Sequence, residues 1–298
     1  MRRIVDTHFH LQDLDRFVYP WLDPGSTPPD VFGENFGKLR RSYRIEDYLA
    51  DVSGLGVVKA VHVENGVTAR DADAETLWLQ SIADRNGFPQ GIVAQVSLHE
   101  ADAAQMIEAH SQAKNLRGVR HILNWHSDPK LRFAAAPDIL ASADWRRGFA
   151  LLRRYDLSFD LQIYPAQLAD AYDLAHAFPD TQIVLCHLGM PIERSSSEMT
   201  HWEGAMRSVA RAENVSVKLS GFALGQGGWT LESMRSLVLK VVEIFGVHRC
   251  MFGGNFPVDG LYSSYPALVA AFETVIADFS AEEAALLLAV NAERVYRI

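Results

Sequence analysis

Two histidines separated by one residue, His8 and His10, follow a short apolar segment near the N-terminus. Alternate side chains of a β-strand point to the same face, so a strand here projects both imidazoles together. Paired imidazoles can hold a divalent metal or a reacting water. His187 ends a second apolar run and precedes a turn, which predicts a third imidazole at a strand end. These three histidines are the first candidates for a reactive site.

Polar residues after two other predicted strands extend this set. Asn255 follows two glycines after the last strand, where the backbone can approach another group closely. An amide cannot take a proton from water and binds a cation weakly, so a base must come from elsewhere. His126 and Asp259 are the candidates for that base, although each also fits an ordinary loop or turn residue.

Two cations lie in strands that are otherwise apolar. Arg120 and Lys218 need partners if they are buried. If they face inward, either can grip a substrate carboxylate, with arginine doing so in bidentate fashion. A structural ion pair inside the barrel wall is the alternative. Gln162 and Trp21 are further candidates for contacts with substrate, through a hydrogen bond and an apolar surface.

Strand-like and helix-like segments alternate along the chain and must position these residues. Strands are predicted at Arg3–Thr7, Val57–Val63, Gly91–Leu98, Gly118–Leu123, Leu157–Ile163, Gln182–Cys186, Val215–Leu219 and Arg249–Phe252. Helices are predicted at Ala72–Asn86, Ala101–Lys114, Asp144–Tyr155, Pro165–Phe178, His201–Ala212, Leu231–Phe245, Tyr265–Phe279 and Ala281–Tyr296. Eight such units favour an α/β protein with one domain over residues 1–298, a (β/α)8 TIM barrel with C-terminal helices. A doubly wound sheet fits less well, because no Gly-x-Gly-x-x-Gly turn follows the first strand.

Irregular segments follow several of the strands. The longest are residues 19–42, 190–200 and 225–229, which are rich in proline, glycine or polar residues. Loops after strands lie at the C-terminal face of a barrel, where active sites are built. The sequence therefore predicts a partly covered pocket at that face.

Composition argues against several classes of protein. The chain is 48% hydrophobic and 22% charged with a formal charge of −9, and no run of basic residues exceeds two, so nucleic acid is not an expected partner. No apolar stretch is long enough to span a bilayer, and the N-terminus lacks a signal-peptide pattern, so a cytoplasmic protein is expected. Cys186 and Cys250 lie in apolar runs and are interpreted as core residues. A homo-oligomer is left open.

Taken in order, the motifs resemble the amidohydrolase-related (amidohydrolase 2) family of the amidohydrolase superfamily. That family contains TIM-barrel lactone hydrolases, such as sugar-acid lactonases and 2-pyrone-4,6-dicarboxylate lactonase-like enzymes. The matching segments are Val5–His10, Tyr19–Leu22, Gly118–His121, Phe159–Leu161, His187–Gly189, Val217–Gly221 and Asn291–Tyr296.

The resemblance implies that His8 and His10 hold a divalent metal and that His187 binds either metal or the attacked carbonyl. Asn255 stands where the family has an aspartate that is both metal ligand and base. The fifth strand ends at Gln162 and its neighbours rather than at a histidine, so a binuclear site is not expected. The expectation is one divalent metal, Zn²⁺ being compatible with three imidazoles and an amide, or none. Without metal, the histidines donate hydrogen bonds to the carbonyl oxygen.

The reaction implied by this resemblance is hydrolysis of a lactone, a cyclic ester, of a small organic or sugar acid. The partner is then a small-molecule carboxylate or lactone. Two alternatives stay open at this point. One is a decarboxylase-type lyase of the same superfamily. The other is a catalytically impaired barrel that binds a small acid, an alternative raised by Asn255.

Overall fold

The barrel consists of eight parallel strands that are hydrogen-bonded to one another in chain order. The computed structural model describes residues 2–298. The strands are β1 (Ile4–Phe9), β2 (Val57–Val63), β3 (Gly91–Gln95), β4 (Leu116–Ile122), β5 (Ser158–Gln162), β6 (Ile183–Leu185), β7 (Val215–Leu219) and β8 (Cys250–Phe252). Short runs rich in valine, isoleucine and leucine form these strands because both of their faces are covered. The predicted (β/α)8 barrel is confirmed.

The first and last strands meet through backbone contacts just beyond their ends. Phe9 forms a parallel bridge with Phe256. The amide of His10 donates to the carbonyl of Phe256 at 2.8 Å, and the amide of Asn255 donates to the carbonyl of His8 at 2.6 Å. Closure of the barrel therefore places the histidines of β1 beside the segment that follows β8.

Ten α-helices accompany the strands in residues 2–298. They are α1 (Ile45–Asp51), α2 (Ala72–Asn86), α3 (Ala103–His110), α4 (Ala143–Phe149), α5 (Leu168–Ala177), α6 (Ser196–Val209), α7 (Leu231–Phe245), α8 (Tyr265–Val275), α9 (Ala281–Ala285) and α10 (Asn291–Tyr296). A π-helical turn joins α9 to α10, so the predicted C-terminal helix is one nearly continuous segment. None of these helices has the length and hydrophobicity that a membrane-spanning segment needs.

Several predicted boundaries were wrong. The helix α6 begins at Ser196 rather than His201, because the side chain of Ser195 accepts a hydrogen bond from the amide of Glu198 and caps the helix there. The strand β3 ends at Gln95 rather than Leu98. The seven-residue helix α1 was not predicted, since it is short and lies among loops.

Two apolar clusters stabilise the barrel. The larger one lies mostly between the strands and the surrounding helices. The smaller one combines Val5, Val93 and Met251 from the strands with Val295 and Tyr296 from the C-terminal helix. This helix therefore covers the N-terminal ends of the strands and leaves the opposite end of the barrel for a site. Both cysteines are buried and unbridged, as the sequence predicts.

Candidate active site

A pocket of about 390 Å³ opens at the C-terminal ends of the strands, and we call it the barrel-mouth pocket. This volume is within the range of about 300–1,000 Å³ that is usual for small-molecule sites. Polar residues form one part of its lining, namely His10, Glu64, Arg120, Gln162, His187 and Asn255. Apolar residues form another, namely Trp21, Phe32, Phe133, Leu224 and Val258. The pocket lies at the face of the barrel where the sequence predicts one.

The three candidate histidines lie together at the pocket. The ring centres of His8 and His10 are 4.9 Å apart, and those of His8 and His187 are 4.4 Å apart. His10 and His187 line the pocket, whereas His8 is fully buried beside them. Two of the three imidazoles are therefore available to a bound molecule.

Hydrogen bonds to the ring nitrogens orient the two imidazoles that line the pocket. His10 Nδ1 lies 2.7 Å from the carbonyl oxygen of Val63. A carbonyl can only accept, so Nδ1 carries the proton and Nε2 keeps a free lone pair. His187 Nδ1 lies 3.0 Å from Ser220 Oγ. Burial, with the nearby guanidinium of Arg120, holds the pKa of both histidines well below the usual value, so both are neutral.

Two of the site residues adopt left-handed backbone geometry. His187 has a φ of 53° and Asn255 has a φ of 55°. Asparagine and histidine adopt this region more often than most residues with a Cβ atom, although at some cost in strain. A Cβ atom at Gly221 would lie 2.6 Å from His187 Nδ1, so a larger residue there would displace the imidazole. The backbone after β6 and the close approach of the loop after β7 therefore both constrain the orientation of His187.

Three hydrogen bonds hold Arg120 at the base of the pocket. Its Nε donates to Glu64 Oε1 at 2.6 Å, and one terminal nitrogen donates to Gln162 Oε1 at 2.8 Å. The other terminal nitrogen donates to the backbone carbonyl of Glu64. The guanidinium also lies 3.5 Å from His8 Nε2. Sequence reasoning missed Glu64, although an acid directly after the apolar strand β2 was a usable signal.

Lys218 lies below the pocket and does not line it. Its ammonium donates to Asp160 Oδ2 at 2.5 Å and to the carbonyl of Thr7 at 2.6 Å. Both members of the ion pair are inaccessible to solvent, and Tyr296 donates a hydrogen bond to Asp160 at 2.9 Å. Lys218 Nζ is also 3.4 Å from His8 Nδ1. Lys218 thus has the geometry of a structural ion pair, one of the two alternatives that the sequence allowed.

Asn255 and Asp259 form a pair in which only Asn255 lines the pocket. Asn255 Nδ2 donates to Asp259 Oδ1 at 3.0 Å. Asp259 is fully buried, and its Oδ2 makes no hydrogen bond of normal geometry. Burial raises the pKa of Asp259 to about 7, although the bond from Asn255 lowers it in part. Asp259 therefore orients the amide of Asn255 and does not itself reach a bound molecule.

The two other candidate residues lie in loops. Trp21 lines the pocket, and its indole Nε1 donates to the carbonyl of Asn65 at 2.7 Å. His126 lies outside the pocket, where its Nδ1 accepts from the amide of Asp128 at 3.0 Å. Its Nε2 is 3.7 Å from Glu193. The structure thus brings Trp21 to the histidines and leaves His126 apart from them.

The donor atoms do not fit a divalent metal held by His8, His10, His187 and Asn255. Within residues 2–298, the one group of three His, Cys, Asp or Glu ligand atoms that lie within 4.8 Å of one another is His8, Asp160 and Cys186. Lys218 already neutralises Asp160, and burial raises the pKa of the Cys186 thiol to about 12. At His8, the cations of Arg120 and Lys218 face the two ring nitrogens. A metal ion at His8 would have to displace one of these N–H donors from a ring nitrogen.

The buried carboxyl of Asp259 makes stability depend on pH. Its pKa rises from 3.8 in an unfolded chain to about 7, so the native state binds a proton that the unfolded state releases. The contribution of this carboxyl to the free energy of unfolding is therefore largest below about pH 4 and falls as pH rises to about 7. The full difference corresponds to about 4 kcal/mol. Urea unfolding at several pH values should show a shallower decline for Asp259→Asn than for the native chain. If stability falls equally with pH in both proteins, Asp259 is not the group responsible for the decline.

The chain is similar to proteins of a known family along nearly its whole length. An amidohydrolase family model matches residues 5–298. An uncharacterised protein, y4mH, of Sinorhizobium fredii is 41% identical over 295 residues, which cover 99% of this chain and 98% of that protein. L-fucono-1,5-lactonase of Burkholderia multivorans is 26% identical over 307 residues, which cover 99% of this chain and 96% of the enzyme.

A solved amidohydrolase structure is also similar to this chain. An amidohydrolase from Burkholderia multivorans with bound zinc has a TM-score of 0.83 at 25% identity, and the match covers 99% of each chain. The resemblance in the sequence motifs is thereby confirmed. This chain therefore belongs to the amidohydrolase family.

Proposed function

We propose that this protein hydrolyses a lactone and releases the open hydroxy acid. One observation carries the proposal. The carbonyl of Val63 fixes the tautomer of His10, which leaves a lone pair on Nε2 of a ring that lines the pocket beside His187. A neutral imidazole in this state can take a proton from water. The similarity to an L-fucono-1,5-lactonase supports the choice of a cyclic ester.

His10 acts as the general base in this proposal. Its Nε2 removes a proton from a water molecule while the water oxygen bonds to the lactone carbonyl carbon. The tetrahedral adduct then breaks the bond between that carbon and the ring oxygen. The proton on His10 passes to the departing alkoxide, so water is consumed and a hydroxy acid is formed. His10 ends the cycle neutral.

The other polar residues stabilise charge and hold the water. When Ser220 donates to His187 Nδ1, the imidazole carries its proton on Nε2 and can donate to the developing oxyanion. The guanidinium of Arg120 also lines the pocket and can donate a further hydrogen bond to this oxygen. Asp259 holds the amino group of Asn255, which leaves the amide oxygen to accept a hydrogen bond from the attacking water. Asn255 is thus a positioning residue for water, in the place where a carboxylate base was expected.

A panel of lactones tests the proposal. We expect acid release, followed with a pH indicator, from at least one sugar-acid or related lactone, and expect this activity to survive dialysis against a chelator. Carbon dioxide release from aromatic acids without acid release from lactones would establish the lyase alternative instead. Binding of small acids without turnover of any lactone would establish the impaired barrel and end the proposal.

A further inference from the structure

We infer that the barrel-mouth pocket selects an uncharged, hydroxyl-bearing lactone over a carboxylate-bearing one, and that Glu64 is the residue that determines this choice. This inference rests on the proposed lactone hydrolysis. It concerns the charge of the substrate, which is separate from whether a ring is opened.

Glu64 cancels the one fixed positive charge among the residues that line the pocket. The lining contains Arg120 and Glu64, whose side chains are 4% and 3% exposed, and the two groups are 2.6 Å apart. Among residues 2–298, the lining holds no other arginine or lysine, and its histidines share this enclosed site with Arg120, which opposes a second positive charge. The second cation, Lys218, is neutralised by Asp160 below the pocket. A substrate carboxylate would therefore be desolvated without a net positive charge to compensate it.

The hydrogen bonds of Arg120 also oppose carboxylate binding. A carboxylate grips arginine best through two parallel N–H donors. Here Glu64 takes donors from Nε and one terminal nitrogen, and Gln162 takes a donor from the other terminal nitrogen. An incoming carboxylate would have to displace one of these partners. The guanidinium is thus left to donate single hydrogen bonds, which suits a carbonyl or hydroxyl oxygen.

Uncharged polar groups line the adjacent wall. Gln95 Oε1 is buried and has no hydrogen-bond partner within residues 2–298, although its Nε2 donates to the carbonyl of Val67. His121 Nδ1 accepts from the indole of Trp145 at 3.2 Å, so its remaining proton is on Nε2. Ser97 lies in the same lining. One free acceptor, one donor and one hydroxyl match the hydroxyl groups of a sugar-acid lactone.

The product gives a reason for this arrangement. Ring opening converts an uncharged lactone into a carboxylate, whose charge appears inside the pocket. A pocket without net positive charge binds this anion weakly, so release is favoured. The same neutrality discriminates against substrates that already carry a carboxylate.

Binding of probes that cannot be hydrolysed tests the inference separately from catalysis. Calorimetry would compare a sugar-acid lactam, which is uncharged, with a pyridine dicarboxylate. We expect the native protein to bind the lactam about tenfold or more tightly, and Glu64→Gln to shift this ratio about tenfold towards the dicarboxylate. Equal or tighter binding of the dicarboxylate by the native protein would overturn the inference, even if lactones are hydrolysed.

Two further variants keep the result interpretable. Glu64→Asp retains the charge and should keep the native preference. Glu75 controls for the loss of a buried acid outside the pocket, where it accepts a hydrogen bond from Tyr19 and burial raises its pKa to about 8. Glu75→Gln should leave the ratio of the two affinities unchanged. An unchanged ratio of lactam to dicarboxylate affinity in folded Glu64→Gln would refute the role of Glu64. The comparison of the two probes on the native protein does not depend on whether any variant folds.

Discussion

Replacement of His10 by asparagine should lower kcat for lactone ring opening about 10²–10⁴-fold, the usual contribution of a general base. Asparagine retains a donor near the position of Nδ1, so the bond to the carbonyl of Val63 can persist. It has no group that corresponds to the basic Nε2. The loss should therefore appear in kcat, with a smaller change in KM. Steady-state acid release for the native chain and the variant provides the measurement.

His201→Asn is the matched control for this prediction. His201 is an exposed histidine of α6, and its replacement should leave both kcat and the thermal midpoint close to native values. His126→Asn separates the two candidate bases, because His126 lies outside the pocket. A loss in His126→Asn as large as that in His10→Asn, with both proteins folded, would show that His10 is not the base.

Replacement of Lys218 by methionine should destabilise the protein by about 3–5 kcal/mol, as is typical when one partner of a buried ion pair is removed. The ammonium is inaccessible to solvent and is the cation that neutralises Asp160. Methionine fills much of the same volume but leaves the carboxylate charged and buried. The free energy of unfolding from urea titrations at constant pH measures the effect.

An exposed ion pair supplies the comparison. Lys114 contacts Asp84 at 2.6 Å, but its side chain is 71% exposed. Lys114→Met should therefore change stability by less than about 1 kcal/mol. In the double variant Lys218→Met, Asp160→Leu, the buried charge is also removed, so part of the lost stability should return. A small effect of Lys218→Met would mean that the pair contributes little to the native state.

The barrel and the positions of the histidines in it follow from local sequence pattern. Eight apolar segments of strand length, separated by amphipathic segments, specify parallel strands covered on both faces. His8, His10, His187 and Asn255 each lie at or just beyond the C-terminal end of such a segment. Parallel strands in a barrel bring these ends to one face, so the location of the site follows from local pattern alone. The cap formed by Ser195 shows the limit of that reasoning, since a boundary depends on a single side-chain hydrogen bond.

Which charged side chains pair cannot be read from local pattern, because pairing depends on contacts between strands that are distant in sequence. Arg120 is neutralised by Glu64, 56 residues away, and Lys218 by Asp160, 58 residues away. No local pattern encodes these partners, yet they place Lys218 in a buried ion pair below the pocket and occupy three of the donors of Arg120. The amide of Asn255 likewise acquires its orientation from Asp259, and the path of its loop leaves His126 outside the pocket. Local pattern specifies where polar groups lie, whereas burial and long-range pairing specify their charge and hence their chemistry.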